Sequence, residues 1–258
     1  MGYIIAVAGK GGTGKTTIAA LLVRIIKEKR RGEILAVDAD PNSNLAENLG
    51  LKPRQTIGQI LDEVSAHPED IPPGVSKDRF IEYKIHHNVI EEADGFDILT
   101  MGRPEGPGCY CYVNNVLRGI MTKLIKNYRY IIIDNEAGLE HLSRRTTRTA
   151  DVFLVISDAT SVGLRSARRI IELVQELSID IKKKVLIINR CDSQRQVDID
   201  KMLQRENIQT GLEFIGCIPQ DQGILDISLN GGSLLDLADD AVSINTLRKI
   251  GDRICPSI

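Results

Sequence analysis

Gly9-Lys10-Gly11-Gly12-Thr13-Gly14-Lys15-Thr16-Thr17 is the stretch that decides the fold. Gly9, Gly14, Lys15 and Thr16 satisfy the phosphate-loop pattern G-x-x-x-x-G-K-[ST]. Short glycine patterns also arise as ligand-free turns, so the flanks carry the reading. Before the loop, Tyr3-Ile4-Ile5-Ala6-Val7-Ala8 is an apolar run expected to form a buried parallel strand. After it, Ile18, Leu21, Leu22, Ile25 and Ile26 recur at helical spacing toward a basic end at Lys27, Lys29, Arg30 and Arg31. Strand, glycine loop and helix in this order let backbone N–H groups converge on phosphate oxygens at a helix N-terminus. Lys15 then sits on the β- and γ-phosphates and Thr16 ligates Mg²⁺, while Gly11, Gly12, Thr13, Gly14 and Thr17 complete the cradle. The chain reads as a nucleoside triphosphate binder.

Outward from the loop, apolar strand candidates recur at 3–8, 33–38, 97–101, 129–134, 152–157, 185–189 and 214–218, with helical patterns such as 115–127, 162–178 and 196–206 between them. This alternation predicts an α/β fold: a mostly parallel central sheet with helices on both faces, of the P-loop NTPase kind. Ligands in such sheets bind beyond the carboxyl ends of the strands. A chain of 258 residues suits one large core, so residues 1–258 are expected to form a single domain. Residues 50–95 fit least well: Pro53, Pro68, Pro72, Pro73 and Gly74 break the pattern, which predicts a helical or irregular excursion.

A net charge of −2 provides no global field for nucleic acid, and none is expected as a partner. No apolar stretch approaches a membrane span, and the chain enters its first strand without a signal peptide. Val242, Ile244, Leu247 and Ile250 form an apolar face with few cations nearby, expected to pack on the core rather than on a membrane. With five cysteines and no secretory signal, a reducing cytoplasm is expected, where paired cysteines serve metal or redox chemistry.

Lys10 lies early in the loop, although the work on the phosphates falls to Lys15; by itself it reads equally as a solvated charge. Lys-Gly-Gly-x-Gly-Lys-Thr resembles the deviant Walker A loop of the MinD, ParA and nitrogenase iron-protein ATPases. The resemblance implies an ATP-dependent homodimer in which Lys10 crosses the interface to stabilise the partner's phosphates, much as an arginine finger does. It also assigns roles to carboxylates at strand ends. In Asp38-Ala39-Asp40-Pro41, Asp40 would polarise the attacking water, and Asp38 would join the magnesium shell or meet the phosphate lysine. Ile131-Ile132-Ile133-Asp134 looks like a Walker B segment, with Asp134 reaching Mg²⁺ and Gly138 donating to the γ-phosphate. Such aspartates also serve as turn formers or caps, and for Asp38 the two readings stand level.

The base is less directly written. Asn189-Arg190-Cys191-Asp192 resembles the guanine reader of GTPases, yet MinD-type ATPases place an adenine-contacting asparagine at this strand end. Ile218-Pro219-Gln220-Asp221 is similar to their adenine-flanking loop. ATP is therefore the expected nucleotide, with Asn189, Arg190 and Pro219 about the base.

Gly102-Arg103-Pro104-Glu105-Gly106-Pro107-Gly108-Cys109-Tyr110-Cys111 places two thiols in a glycine- and proline-rich turn, a poor setting for core filling. A disulfide across so small a ring would be strained. Two chains related by a twofold axis would instead supply four thiolates, enough to close one soft-metal site. The loop resembles the cluster-ligand loop of nitrogenase iron protein, but Gly138-Leu139-Glu140-His141-Leu142 has no cysteine where that family has its second ligand. Cys-x-Cys with Glu136-Ala137-Gly138-Leu139-Glu140-His141 looks instead like the CooC-type accessory ATPases. That resemblance implies an ATPase that carries Ni²⁺ on Cys109 and Cys111 and assists its insertion into carbon monoxide dehydrogenase or acetyl-CoA synthase. Zn²⁺ could occupy the same thiolates in isolated protein. The alternatives are an iron–sulfur electron-transfer ATPase and a ParA/MinD-type positioning ATPase, although the second gives no reason for the thiols. Cys191, Cys217 and Cys255 read as structural or incidental, and His141 as a hydrogen-bonded helix-start residue.

Overall fold

The computed structural model describes residues 2–30, 32–103, 110–136, 149–192, 196–206, 208 and 211–255, with backbone alone at 110–114 and 196–198. Eight strands form one sheet in the order β3-β4-β2-β5-β1-β6-β7-β8. The central strands are β1 (Tyr3–Gly9), β2 (Ile34–Ala39) and β5 (Tyr130–Asn135); β6 (Thr149–Ser157), β7 (Asp180–Cys191) and β8 (Glu213–Pro219) extend the sheet on one side. All these neighbours pair in parallel. The residues of β1, β2 and β5 are buried almost without a break, as strands covered on both faces require.

The other side ends in β3 (Ile90–Ala93) and β4 (Phe96–Thr100), an antiparallel hairpin in which Ala93 pairs with Phe96. The strand expectations omit β3. It is four residues long, carries Glu91 and Glu92, and lies on the edge, so its pattern lacks the apolar run of a central strand. The turn Asp94-Gly95, with Gly95 at φ 78°, was the available signal. β6 and β7 also run longer than expected, because pairing continues through Thr149–Ala150 and Asp180–Ile181.

The expected excursion is largely ordered secondary structure. It holds α3 (Ile57–Ala66) and α4 (Lys77–Asn88), joined through a 3₁₀ turn at Pro68–Asp70. Thr56 and Gln59 cap α3 reciprocally, and Ser76 caps α4. With α5 (Tyr110–Leu124), α6 (Ser161–Glu176) and α7 (Gln196–Arg205), these helices cover one sheet face. The opposite face receives α1 (Lys15–Glu28), the short α2 (Leu45–Asn48), a 3₁₀ turn at Leu234–Asp236 and α9 (Val242–Ile254). Ile244, Leu247 and Ile250 of α9 pack on the core as expected, but Val242 opens the helix at the surface and is exposed. Among the described residues, no helix is long and apolar enough to cross a membrane.

Candidate functional site

The phosphate loop leaves the end of β1 between β5 and β6, where connections depart to opposite sides of the sheet. Two glycines there are sterically required. A Cβ on Gly9 would lie 2.3 Å from the Ile156 carbonyl oxygen of β6. Gly14, the N-cap of α1, has φ 90°, and its Cβ would meet Asn189 Nδ2 at 2.4 Å. The loop closes on itself where the Thr13 hydroxyl donates to the Lys10 carbonyl at 2.8 Å. α1 begins with neither a side-chain cap nor an acidic residue in its first turn, so its N-terminal amides keep their affinity for an anion. Lys15 is buried beside this opening, whereas Lys10, Gly11 and Gly12 are exposed.

β2 and β5 bring two buried carboxylates together, Asp38 opposite Asp134 in the parallel register. Asp38 Oδ1 accepts from the Asp40 amide at 3.1 Å and Oδ2 from the Leu45 amide at 2.8 Å. Both oxygens thus hold the 40–45 segment against the strand end. Burial, with Asp134 close by, pushes Asp38 up to about 7 despite those amides. Asp134 faces the loop: it accepts from the Thr16 side chain and feels Lys15, yet burial still raises it to about 6. Its Oδ1 is enclosed and has no hydrogen-bond partner among the described residues. Asp40 lies further out, its Oδ1 taking both the backbone and side-chain N–H of Asn42 at 2.9 Å.

A buried carboxylate oxygen without a donor, next to a threonine hydroxyl at a phosphate loop, fits a hard divalent cation. Such an ion takes oxygen ligands and completes its shell with phosphate and water. The residues present therefore suit Mg²⁺ at Thr16 and Asp134.

The loop is buttressed from the far side by the end of β7. Asn189 Nδ2 donates to the Thr13 carbonyl at 2.9 Å, and Arg190 Nη1 to the Gly12 carbonyl at 3.1 Å. Arg190 adopts φ 56°, a left-handed conformation that turns its guanidinium back onto the loop. Pro219 ends β8 beside Cys191, and the next residue, Gln220, donates its amide to the Cys191 carbonyl at 3.3 Å. A cleft of about 550 Å³ opens at the N-terminus of α1. Gly12, Gly14, Lys15, Thr16, Thr17 and Arg190 form its phosphate-loop side.

A sequence profile of the CobQ/CobB/MinD/ParA nucleotide-binding domain matches residues 4–234. The chain belongs to this family. An uncharacterised ATP-binding protein of Methanocaldococcus jannaschii is 41% identical over 253 residues, 97% of this chain and 98% of that one. The carbon monoxide dehydrogenase accessory protein CooC of Rhodospirillum rubrum is 31% identical over 254 residues, covering 91% and 90% of the two chains. Among solved structures, the Pyrococcus furiosus cell division ATPase MinD superposes with a TM-score of 0.72 over 98% of both chains; at 21% identity it supports the fold.

As a member of a nucleotide-binding ATPase family, the chain has a cleft whose far wall the sequence reading missed. Asn44, Glu47 and Asn48 of α2, with Ile227 and Ser228 of α8 (Gln222–Asn230), line it opposite the phosphate loop. No local signal marks them, because α2 and α8 lie far apart in sequence and come together only when both pack on the same sheet face; a Cβ on Gly50 would touch Ser233 at 2.9 Å. Arg24 of α1 ties the 234–239 segment to that helix: it pairs with Asp239 and donates to the Leu234 and Leu237 carbonyls, with Glu28 of α1 as its other partner. Of the remaining expected residues, Cys109, Gly138 and His141 lie outside the described residues, and Cys111 is described by its backbone in the first turn of α5.

Proposed function

We propose that the chain is an Mg²⁺-dependent ATPase that closes as a homodimer on ATP and carries nickel on Cys109 and Cys111 to a carbon monoxide dehydrogenase or acetyl-CoA synthase. The observation that carries the ATPase half is the buried Asp134, hydrogen-bonded to Thr16 with Oδ1 left open beside the phosphate loop. Lys15 and the α1 amides bind the phosphates, and Thr16 with Asp134 holds Mg²⁺. An Mg²⁺ held by Thr16 and Asp134 would supply charge stabilisation for the transferring phosphoryl group. Asp40 orients the water whose oxygen forms a bond to the γ-phosphorus as the bond to ADP breaks. Asp38 keeps Asp40 in place through the 40–45 segment. Asn189 and Arg190 hold the loop from behind and stand beside the base, with Pro219 next to them. Lys10, exposed at the loop mouth, reaches the partner's phosphates, and Gly138 reports the γ-phosphate.

The metal half is supported by the Cys109-Tyr110-Cys111 motif and by the 31% identity to CooC along nearly the whole chain. Two protomers provide four thiolates, so metal and ATP favour the same closed dimer and strengthen each other's binding. Native mass spectrometry with Ni²⁺ or Zn²⁺, with and without ATP, tests this against Cys109→Ser/Cys111→Ser. One metal per dimer, lost in the variant and tightened by ATP, is expected; one metal per monomer that survives the substitution refutes the cargo role. An iron–sulfur chromophore after anaerobic purification would replace metal delivery with electron transfer, leaving the ATPase half intact.

A further inference from the structure

Cys191 and Cys217, far apart in sequence, are brought together by the sheet. They lie at the ends of the adjacent parallel strands β7 and β8, where Ile188 pairs with Cys217 and Cys191 with Pro219. Strict alternation would put Cys191 on the sheet face opposite Ile188. The left-handed backbone at Arg190 and the register shift between Asn189 and Cys191 return it to the same side. Both sulfurs therefore face the layer under α6 and α7, Cys191 buried and Cys217 half-buried. The Cys191 thiol donates to the Ile188 carbonyl at 3.2 Å, and Ile188 is the residue paired with Cys217 across the two strands.

We propose that Cys191 and Cys217 form a reversible disulfide that weakens nucleotide binding by displacing the buttress of the phosphate loop. The residues that carry the coupling are consecutive. Asn189 and Arg190 donate to the Thr13 and Gly12 carbonyls, and Cys191 is the next residue. Parallel strands lie about 4.8 Å apart and rise about 3.3 Å per residue, so Cα atoms two positions out of register sit roughly 8 Å apart. A disulfide needs Cα atoms about 4.4–6.8 Å apart, so forming the bond draws the end of β7 toward β8 and away from the loop.

The chemistry requires a two-electron oxidant of the peroxide class. Cys217 is the more exposed thiol, and the neighbouring Cys191 lowers it from the ordinary thiol value, while Cys191 is raised by Cys217 and by burial. Cys217 thiolate attacks a peroxide oxygen, breaking the O–O bond; protonation of the leaving oxygen gives a sulfenic acid and water. The Cys191 sulfur then attacks the sulfenic sulfur, and the S–OH oxygen departs with the thiol proton as a second water. Two thiols and one hydrogen peroxide thus yield one disulfide and two waters, with the electrons passing from sulfur to peroxide oxygen. A dithiol reductant reverses the step by thiol–disulfide exchange.

Stoichiometric hydrogen peroxide on the purified chain, followed by alkylation and trypsin, tests the proposal. The expected product joins the peptide Cys191–Arg195 to Glu206–Arg248 and disappears with dithiothreitol. ADP affinity, measured by calorimetry, should fall about tenfold on oxidation and return on reduction. This reading rests on nucleotide binding at the phosphate loop; ADP binding by the reduced protein checks that separately, and neither dimer closure nor metal delivery enters. Cys217→Ser should bind ADP as the reduced wild type does and ignore peroxide. Peroxide that leaves Cys191 and Cys217 alkylatable overturns the proposal, as does a disulfide that leaves affinity unchanged. An equal loss of affinity in oxidised Cys217→Ser assigns the effect to other thiols and overturns it too. Should the variant fail to fold, wild type before and after reduction remains decisive.

Discussion

The ends of β2 and β5 lie side by side and each presents a buried aspartate, yet the two carboxylates are held in opposite ways. Asp38 spends both oxygens on backbone amides of the 40–45 segment. Asp134 accepts from Thr16 and keeps a buried Oδ1 that has no partner among the described residues. Residue type and burial are the same; what differs is what each carboxylate meets. A carboxylate saturated by amides organises a loop, whereas one left with a buried free oxygen carries an unmet electrostatic demand that a cation can satisfy. One is built for the fold around the site and the other for the ligand.

The sharpest way to break this contrast is to exchange the losses. Asp134→Asn should lower kcat for ATP hydrolysis by about 10²-fold or more while leaving the urea midpoint of the nucleotide-free protein unchanged or higher. Equal damage to folding would remove the distinction. Asp38→Ala should destabilise the fold by about 2–4 kcal/mol, because the buried Leu45 amide and the half-buried Asp40 amide lose their acceptor. Chemical denaturation of both variants in parallel reads the difference directly.

The raised carboxyls also predict a pH signature. Asp38 in the folded protein keeps its proton up to about 7, whereas the unfolded chain releases it near the ordinary carboxylate value. Folded protein then binds more protons than unfolded between those limits, so this group's contribution to stability falls as pH rises through about 7. The advantage of wild type over Asp38→Asn should therefore narrow between pH 4.5 and 7.5 by roughly 1–3 kcal/mol. A difference independent of pH would show that the carboxyl is charged throughout.

Further from the two strand ends, effects should shrink. Asn189→Ala removes one buried anchor of the loop and should weaken ADP binding roughly five- to tenfold with little change in thermal stability. Thr56→Ala breaks the capping box of α3, costing about 1 kcal/mol without altering ATP hydrolysis. An effect of Thr56→Ala on turnover would bring the 50–95 region into the catalytic unit.

The legibility of this chain follows the range of the interactions. The strand–loop–helix unit was readable because its apolar periods and glycine spacing are local, and the parallel sheet followed from their repetition. β3 escaped because an edge strand needs no apolar run, even though Asp94-Gly95 marked its turn. The far wall of the cleft escaped because Glu47 and Ser228, far apart in sequence, come to line one cleft only in the folded chain. The thiols at 191 and 217 read as incidental for the same reason.

By itself, then, the sequence determined a phosphate loop at residues 9–17, acidic strand ends at Asp38, Asp40 and Asp134, and a sheet covered on both faces. Covalent spacing and hydrophobic period suffice for these, since each depends on neighbours within a few residues. Only the tertiary structure decided which aspartate holds a loop and which retains an open oxygen. Only it decided that Asn189 and Arg190 brace the phosphate loop, and that Cys191 and Cys217 lie on adjacent strands facing the same layer. Those outcomes depend on strand register and on one left-handed residue, and a single residue's shift in either would redirect the side chains.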